Sequence, residues 1–349
     1  MRFVRLRRLR SELRMRTLCA ALALVVGGAL GAVAVPAAAQ QPAAAPGLIV
    51  GSAARADDGA YVVSETLVGP RTVDLLIHSP ALGGNVSTRL LLPKDWAANP
   101  TVTWPTLWLL HGAGEPQDYK SWTHFTNVEA FTADKNVLVV MPSDGQAGFY
   151  TDWLFGGSAK PRKWATFHMV ELFQLLERGY RAGPNRAIAG LSLGGYGALT
   201  YSFQYPGRFK SAASYSGLVD TLFPGAPVLV QAMVLRAGEL PIQMWGDPVL
   251  NFFGWAARNP ASNVAKLRGM RLYLSCGNGK TETGDAPLDA TLLESVAAPA
   301  NDALASKLRA AGIPVTTDLG NTGVHAWPYW EQKLRSSWPV LAAGLGVPA

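Results

Sequence analysis

Arg186-Ala-Ile-Ala-Gly-Leu-Ser192-Leu-Gly-Gly-Tyr-Gly-Ala-Leu199 decides the fold. Arg186–Leu191 is an apolar run of strand length, and Gly195–Tyr205 carries apolar residues at helical spacing. Between them lies Gly190-Leu191-Ser192-Leu193-Gly194. A serine at a sharp strand-to-helix turn, with glycine two residues to either side, is a nucleophile elbow. Glycine is needed because a side chain at 190 or 194 would collide with the neighbouring chain. The turn lifts the Ser192 hydroxyl above the sheet, at a helix N-terminus whose dipole favours a developing negative charge.

A nucleophilic serine needs a base, and in this arrangement the chain order is Ser, then acid, then His. Of the five histidines, His78, His111, His124, His168 and His325, only the last follows Ser192. His325 is therefore the expected base. The acid should come soon after the strand expected at Arg271–Cys276, which leaves Glu282, Asp285, Asp289 and Glu294. Spacing leans to Glu282 or Asp285 and does not choose among the four. A developing oxyanion needs two backbone N–H donors. Leu193, just after the nucleophile, supplies one, and Ala113, in the His111-Gly112-Ala113-Gly114 loop after an early strand, is assigned the other.

Working outward, apolar runs of strand length alternate with helix-length stretches. Strands are expected at 73–79, 87–93, 106–111, 137–142, 186–191, 211–216, 271–276 and 314–319. Helices are expected at 164–181, 195–205, 301–311 and 327–345. This alternation predicts an α/β fold, a mostly parallel sheet with helices on both faces. Val219–Pro260 breaks the alternation and reads as an inserted set of loops and short helices that shapes a pocket. Its Leu222, Phe223, Val228, Leu229, Val230 and Met233 fit either a lipid groove or a helical cap packed on the core.

The chain has 349 residues with a formal charge of +7. Seven arginines and one acid, Glu12, fall within residues 1–39, so the remainder carries 24 Lys+Arg against 23 Asp+Glu. That near-neutral balance leaves no global field for nucleic acid, and no nucleic-acid partner is expected. Basic Arg2–Arg16, apolar Leu18–Val35 and the Ala37-Ala38-Ala39 step read as a signal peptide over 1–39. An Ala/Pro-rich linker over 40–60 and a catalytic domain over 61–349 follow, and secretion to the cell exterior or envelope is expected. Cys19 leaves with the leader, so Cys276 remains as a single buried thiol with no intramolecular partner. The histidines and acids lack metal-ligand spacing, and a serine triad needs no cofactor, so none is expected.

Beyond these readings, the chain resembles the secreted mycolyltransferases of the antigen 85 family from about Ser87 to Leu345. The resemblance rests on Leu90-Leu-Leu-Pro-Lys-Asp-Trp96, Gly148-Phe-Tyr-Thr-Asp-Trp153, Lys163-Trp-Ala-Thr-Phe167, the elbow, Met244-Trp-Gly246, Cys276-Gly-Asn-Gly279 and Gly323-Val-His-Ala-Trp-Pro-Tyr-Trp330. It implies an α/β-hydrolase fold and a Ser–Glu–His triad whose glutamate sits in a Leu-Glu step, matched here by Leu293-Glu294. It also implies that Cys276 lies beside the active site and that Trp327 packs near a sugar. The family's early loop reads Asp-Gly-Leu-Arg, and its Asp and Arg contact trehalose. The matching substrate-binding positions here are His111 and Gly114, so both charged contacts are missing. The expected activity is acyl transfer from trehalose monomycolate through an acyl-enzyme on Ser192, to trehalose, cell-wall polysaccharide or a protein hydroxyl. The alternative is a secreted carboxylesterase in which water takes the acyl group.

Overall fold

Each of the central strands reads as a nearly unbroken apolar run because it is covered on both faces. The computed structural model describes residues 53–284 and 286–349. The leader and most of the linker lie outside them, as does Asp285. Among the described residues nine strands form one sheet: β1 (Tyr61–Leu67), β2 (Thr72–Ser79), β3 (Gly84–Leu91), β4 (Trp104–Leu110), β5 (Leu138–Pro142), β6 (Ala182–Leu191), β7 (Ser211–Tyr215), β8 (Arg271–Cys276) and β9 (Val315–Leu319). Their order is β1-β2-β3-β5-β4-β6-β7-β8-β9. The pairs from β5 through β9 are parallel, and β1, β2 and β3 add an antiparallel edge.

Alternation across the pleat divides the core between the two faces. On β4, Trp108 and Leu110 join the cluster on one face, while Leu107 and Leu109 join the other. The first face is covered by a helical run over 164–179, labelled α1, and by α2 (Leu193–Gln204). Helix α4 (Leu288–Ala310) adds Leu304, Ala305 and Leu308 to that cluster. The second face is covered by α5 (Trp327–Leu345), which packs against β6, β7 and β8. The inserted segment holds α3 (Ala226–Arg236) and the short helices Pro241–Trp245 and Phe252–Arg258. This is the α/β-hydrolase architecture expected above.

Three differences from the sequence reading have physical causes. Strand β1 was not expected. It mixes polar and apolar residues at an exposed edge, and its pairing with β2 holds it in place. Helix α2 begins at Leu193, directly after the serine, instead of at Gly195. Helix α4 begins at Leu288, well before the expected Asn301, and runs through Pro299. A proline inside a helix removes one ladder donor, so the residues before it do not advertise a helix.

Register brings the loops of the site together. Leu191 pairs with Tyr215, and Tyr215 pairs with Ser275. Ser192, Ser216 and Cys276 therefore follow at one level across three adjacent strands. Because β4 through β9 run the same way, the loops at their carboxyl ends share one rim, where open α/β sheets place their ligands.

Candidate active site

Ser192 is the pivot of the elbow. Its φ of 52° and ψ of −116° lie where a side-chain-bearing residue is strained. The turn is held by Ser192 N–H donating to Tyr215 O at 2.9 Å, while Tyr196 and Leu218 N–H groups donate to Ser192 O. The flanking glycines are sterically required. A Cβ on Gly190 would lie 2.2 Å from Gly194 O, and one on Gly194 would lie 2.5 Å from both Leu110 O and His111 O. Neither clash can be relieved by turning a side chain, since the obstructing atoms are backbone.

His325 arrives from the loop between β9 and α5. Its backbone N–H donates to Ala290 O in α4, so the helix that carries Glu294 also anchors the imidazole loop. The ring Nδ1 lies 2.9 Å from Glu294 Oε2. Glu294 is buried, and its other oxygen accepts from Ser216 Oγ at 2.7 Å and Gly277 N–H at 2.5 Å. Burial alone would raise this carboxyl. The bonds from His325, Ser216 and Gly277 outweigh burial and hold it below the ordinary glutamate value. Glu282, favoured by spacing, is instead exposed in the loop before α4, and Asp289 is exposed on its first turn. Of the acids described, Glu294 is the one that meets the ring.

Ser192 and His325 line a single pocket of about 790 Å³. Gly112, Ala113 and Gly114 form one lip, and Trp327 and Trp330 form another. Gly112 passes so close to the elbow that a Cβ there would lie 2.9 Å from Leu191 Cδ1. Ala113 follows on the same lip and lines the pocket, and Leu193, at the start of α2, is fully buried. On α3 the helical period separates three faces: Leu229 and Met233 face the pocket, Val230 and Val234 enter the core, and Val228 and Leu235 face solvent. Part of this segment thus lines the pocket and part packs on the core.

A family of esterases, described as "Putative esterase", matches residues 79–339. The chain belongs to this esterase family. The antigen 85 mycolyltransferases are among its relatives. Diacylglycerol acyltransferase/mycolyltransferase Ag85A of Mycobacterium leprae is 32% identical over 286 residues, covering 78% of this chain and 83% of that protein. Esterase Rv1288 of Mycobacterium tuberculosis is 32% identical over 225 residues, which is 63% of this chain and 48% of that longer protein. Among solved structures, Mycobacterium tuberculosis MPT51 (FbpC1) superposes with a TM-score of 0.65 at 23% identity, covering 76% of this chain and 96% of that one. An S-formylglutathione hydrolase from Agrobacterium tumefaciens gives 0.59 at 17% identity, covering 81% and 99%. These two likenesses show the fold. The esterase is an enzyme of the acyltransferase and serine-hydrolase kind.

Two expected substrate contacts fare differently in this esterase. Gly114 lines the pocket with φ of 84° and open space where a side chain would stand. His111 does not line it, a correction to the expectation that it contacts substrate. Its ring is buried behind the loop, with Nδ1 donating to Gly112 O at 2.6 Å and Nε2 lying 3.1 Å from Asp118 Oδ2. Burial opposes charge on this ring, but Asp118 and Asp144 outweigh it and raise its pKa to about 9. The Asp144 N–H then serves Asp118 Oδ2 at 3.1 Å. Tyr150 O–H donates to His111 O, and Gly114 N–H donates to Gln146 O, so the lip is fastened at both ends.

Four residues of the esterase site were not found from the sequence. Ser216, held at φ of 48°, donates to Glu294 and accepts from Trp330 Nε1 at 3.1 Å. Trp330 sets its ring edge-on to His325, with centroids 5.0 Å apart. Gly277 supplies the third bond to Glu294. Glu115 brings a carboxylate to the pocket lip, where it accepts from Ser121 Oγ. Burial pushes the Glu115 carboxyl above its ordinary value. Trp330 and Gly277 fall in the segments Gly323–Trp330 and Cys276–Gly279 that carry the resemblance, whereas no motif or spacing marks Ser216 or Glu115. Cys276 lies where the resemblance implied, with Sγ 3.4 Å from Glu294 Oε1. Burial first, and then the neighbouring carboxylate, push its thiol far up, so it is no nucleophile.

Proposed function

We propose that this esterase is a secreted mycolyltransferase-type enzyme that moves a long acyl group from trehalose monomycolate to an alcohol through an acyl-enzyme on Ser192. The observation that carries this reading is the 2.9 Å contact of Glu294 with His325, on a pocket that also presents Ser192.

In this mechanism Ser192 Oγ attacks the ester carbonyl while His325 Nε2 takes its proton. Glu294 keeps the ring in the tautomer with hydrogen on Nδ1 and stabilises the imidazolium. The N–H groups of Leu193 and Ala113 receive the oxyanion, each donor contributing about 3 kcal/mol to the transition state. His325 then returns the proton to the departing sugar hydroxyl. An acceptor alcohol, deprotonated by the same ring, attacks the acyl-enzyme in the reverse sense. Phe223, Leu229, Met233, Leu293 and Val296 make a wall suited to an acyl chain. Trp327, stacked on Phe125 at 5.0 Å, offers a flat face to a sugar. The acceptor is trehalose or a wall polysaccharide. The leader over 1–39 directs the enzyme outside the cell, where such substrates lie.

A second reading, a carboxylesterase, is favoured by one feature. With the His111 ring turned inward and no side chain at Gly114, positions 111 and 114 offer no charged arm to hold a trehalose acceptor against competition from water. The test is to supply trehalose monomycolate to the purified protein and to its Ser192→Ala variant. Dimycolate formed by the first and not the second supports transfer. Free mycolic acid as the sole product assigns the esterase reading. No turnover of this or any simple ester overturns both.

A further inference from the structure

The inserted segment leaves an apolar tip standing in solvent. Val249 is 81% exposed, Leu250 91% and Phe253 85%. Large side chains so fully exposed, and so close together in the chain, are unusual on a protein that works alone in water. The tip does not stand apart. Just before it, Leu240 and Ile242 are exposed at the N-cap and in the first turn of the helix Pro241–Trp245. Leu154 and Phe155, also exposed, are tied to that helix by their N–H groups donating to Met244 O and Gln243 O.

The same surface continues to the mouth of the pocket. Helix α3 packs against the helix Pro241–Trp245. Leu229 and Met233 of α3 line the pocket, while Leu235 on its last turn is exposed. Arg236, which is exposed, also lines the pocket.

We propose that this tip and the surface behind it dock the enzyme on a lipid layer with anionic headgroups, so that the pocket mouth opens onto the layer. The proposal deepens the acyl-transfer reading and rests on it for the nature of the substrate. Three observations favour a lipid layer over a protein partner. The tip projects as a turn, a shape that inserts between headgroups and matches a flat protein face poorly. The amides of its turn are already satisfied, since Val249 and Leu250 N–H donate to Asp247 Oδ1 at 2.8 and 2.9 Å and Asn251 N–H donates to Asp247 O. The donors of Val249, Leu250 and Asn251 therefore keep their partners on entering an apolar phase. The charge pattern also fits. From 240 to 257 the sole charged residue is Asp247, occupied in capping the turn, while the guanidinium of Arg236 is offered at the pocket mouth.

The experiment is sedimentation of the leaderless protein with phosphatidylcholine vesicles, with and without phosphatidylglycerol. It is run on the wild type and on the triple variant Val249→Ser, Leu250→Ser, Phe253→Ser, alongside hydrolysis of water-soluble p-nitrophenyl acetate. The wild type should pellet with vesicles, more strongly when phosphatidylglycerol is present, and salt should weaken that preference. The variant should lose on the order of 100-fold in partitioning, while its p-nitrophenyl acetate turnover, which also reports correct folding, stays within twofold. Absence of vesicle binding by the wild type overturns the proposal, as does equal binding by the variant. Self-association of the wild type that the triple variant abolishes, without vesicle binding, assigns the tip to a second copy instead. Failure of the acyl-transfer reading would show separately, as free mycolic acid with no dimycolate from trehalose monomycolate, whether or not the wild type binds vesicles.

Discussion

Glu294 Oε2 and His325 Nδ1 lie 2.9 Å apart, with the carboxylate buried and three further donors on its other oxygen: Ser216 Oγ, Gly277 N–H and the weak Cys276 S–H. A group held this way stabilises positive charge on the ring during proton transfer and keeps Nδ1 protonated. In Glu294→Gln the amide can present its own N–H to Nδ1 and select the wrong tautomer. We expect kcat to fall by about 10³- to 10⁴-fold with KM little changed. Steady-state kinetics on p-nitrophenyl butyrate checks this, and a loss of less than tenfold would remove Glu294 from the mechanism.

Ser216 holds the carboxylate from behind. In Ser216→Ala, Glu294 loses one donor and the Trp330 indole loses its acceptor in a buried site. The expected cost is about 1–3 kcal/mol of stability, with a drop in kcat larger than any change in KM. Chemical denaturation and kinetics on the same preparation separate the two effects.

The backbone at Ser192 is strained, and glycine would relax it. Ser192→Ala and Ser192→Gly should both lose turnover. Ser192→Gly should nevertheless be more stable than Ser192→Ala by about 1 kcal/mol, although glycine normally weakens a structure through its greater unfolded-state freedom. Equal or lower stability of the glycine variant in urea melts would show that the elbow carries no such strain.

His111 is a structural charge, and its effect has a definite sign. Its pKa is raised in the folded protein from 6.5 to about 9. The stabilisation is therefore fully present below 6.5 and is lost as pH rises through about 9. Thermal melts from pH 6 to 10 should show the wild type losing its advantage over His111→Gln across that window. A constant gap between the two proteins would contradict a charged ring beside Asp118.

Cys276 should resist thiol reagents in the native protein, since burial and the Glu294 carboxylate keep it protonated. Ellman's reagent is expected to react only as the protein unfolds, with the rate following denaturant concentration. Rapid labelling of the native state would place the thiol in a more open environment than its packing implies.

How far the site was legible depended on whether its determinants are local. The elbow could be read because its steric demand is confined to five consecutive residues, Gly190 to Gly194. His325 could be read because no other histidine lies downstream of Ser192. Strands β4 to β8 could be read because burial on both faces requires apolar runs. The edge strand β1 could not, since pairing with β2 places it and its own side chains do not. The first half of α4 could not, because Pro299 interrupts the local pattern of a helix stabilised by tertiary packing.

The mostly parallel sheet, the serine turn and its base are all encoded locally, because each follows from short-range sterics or from chain order. Which carboxylate meets the imidazole is a matter of three-dimensional packing, and resemblance alone names Glu294 from the sequence. The phase of α4 turns Glu294 inward and leaves Asp289 in solvent. Packing also decides that His111 faces two buried aspartates instead of the substrate, and that Ser216 and Trp330 support the acid. These relationships join residues far apart in the chain, and their distances exist only once the sheet register has brought the loops to one rim.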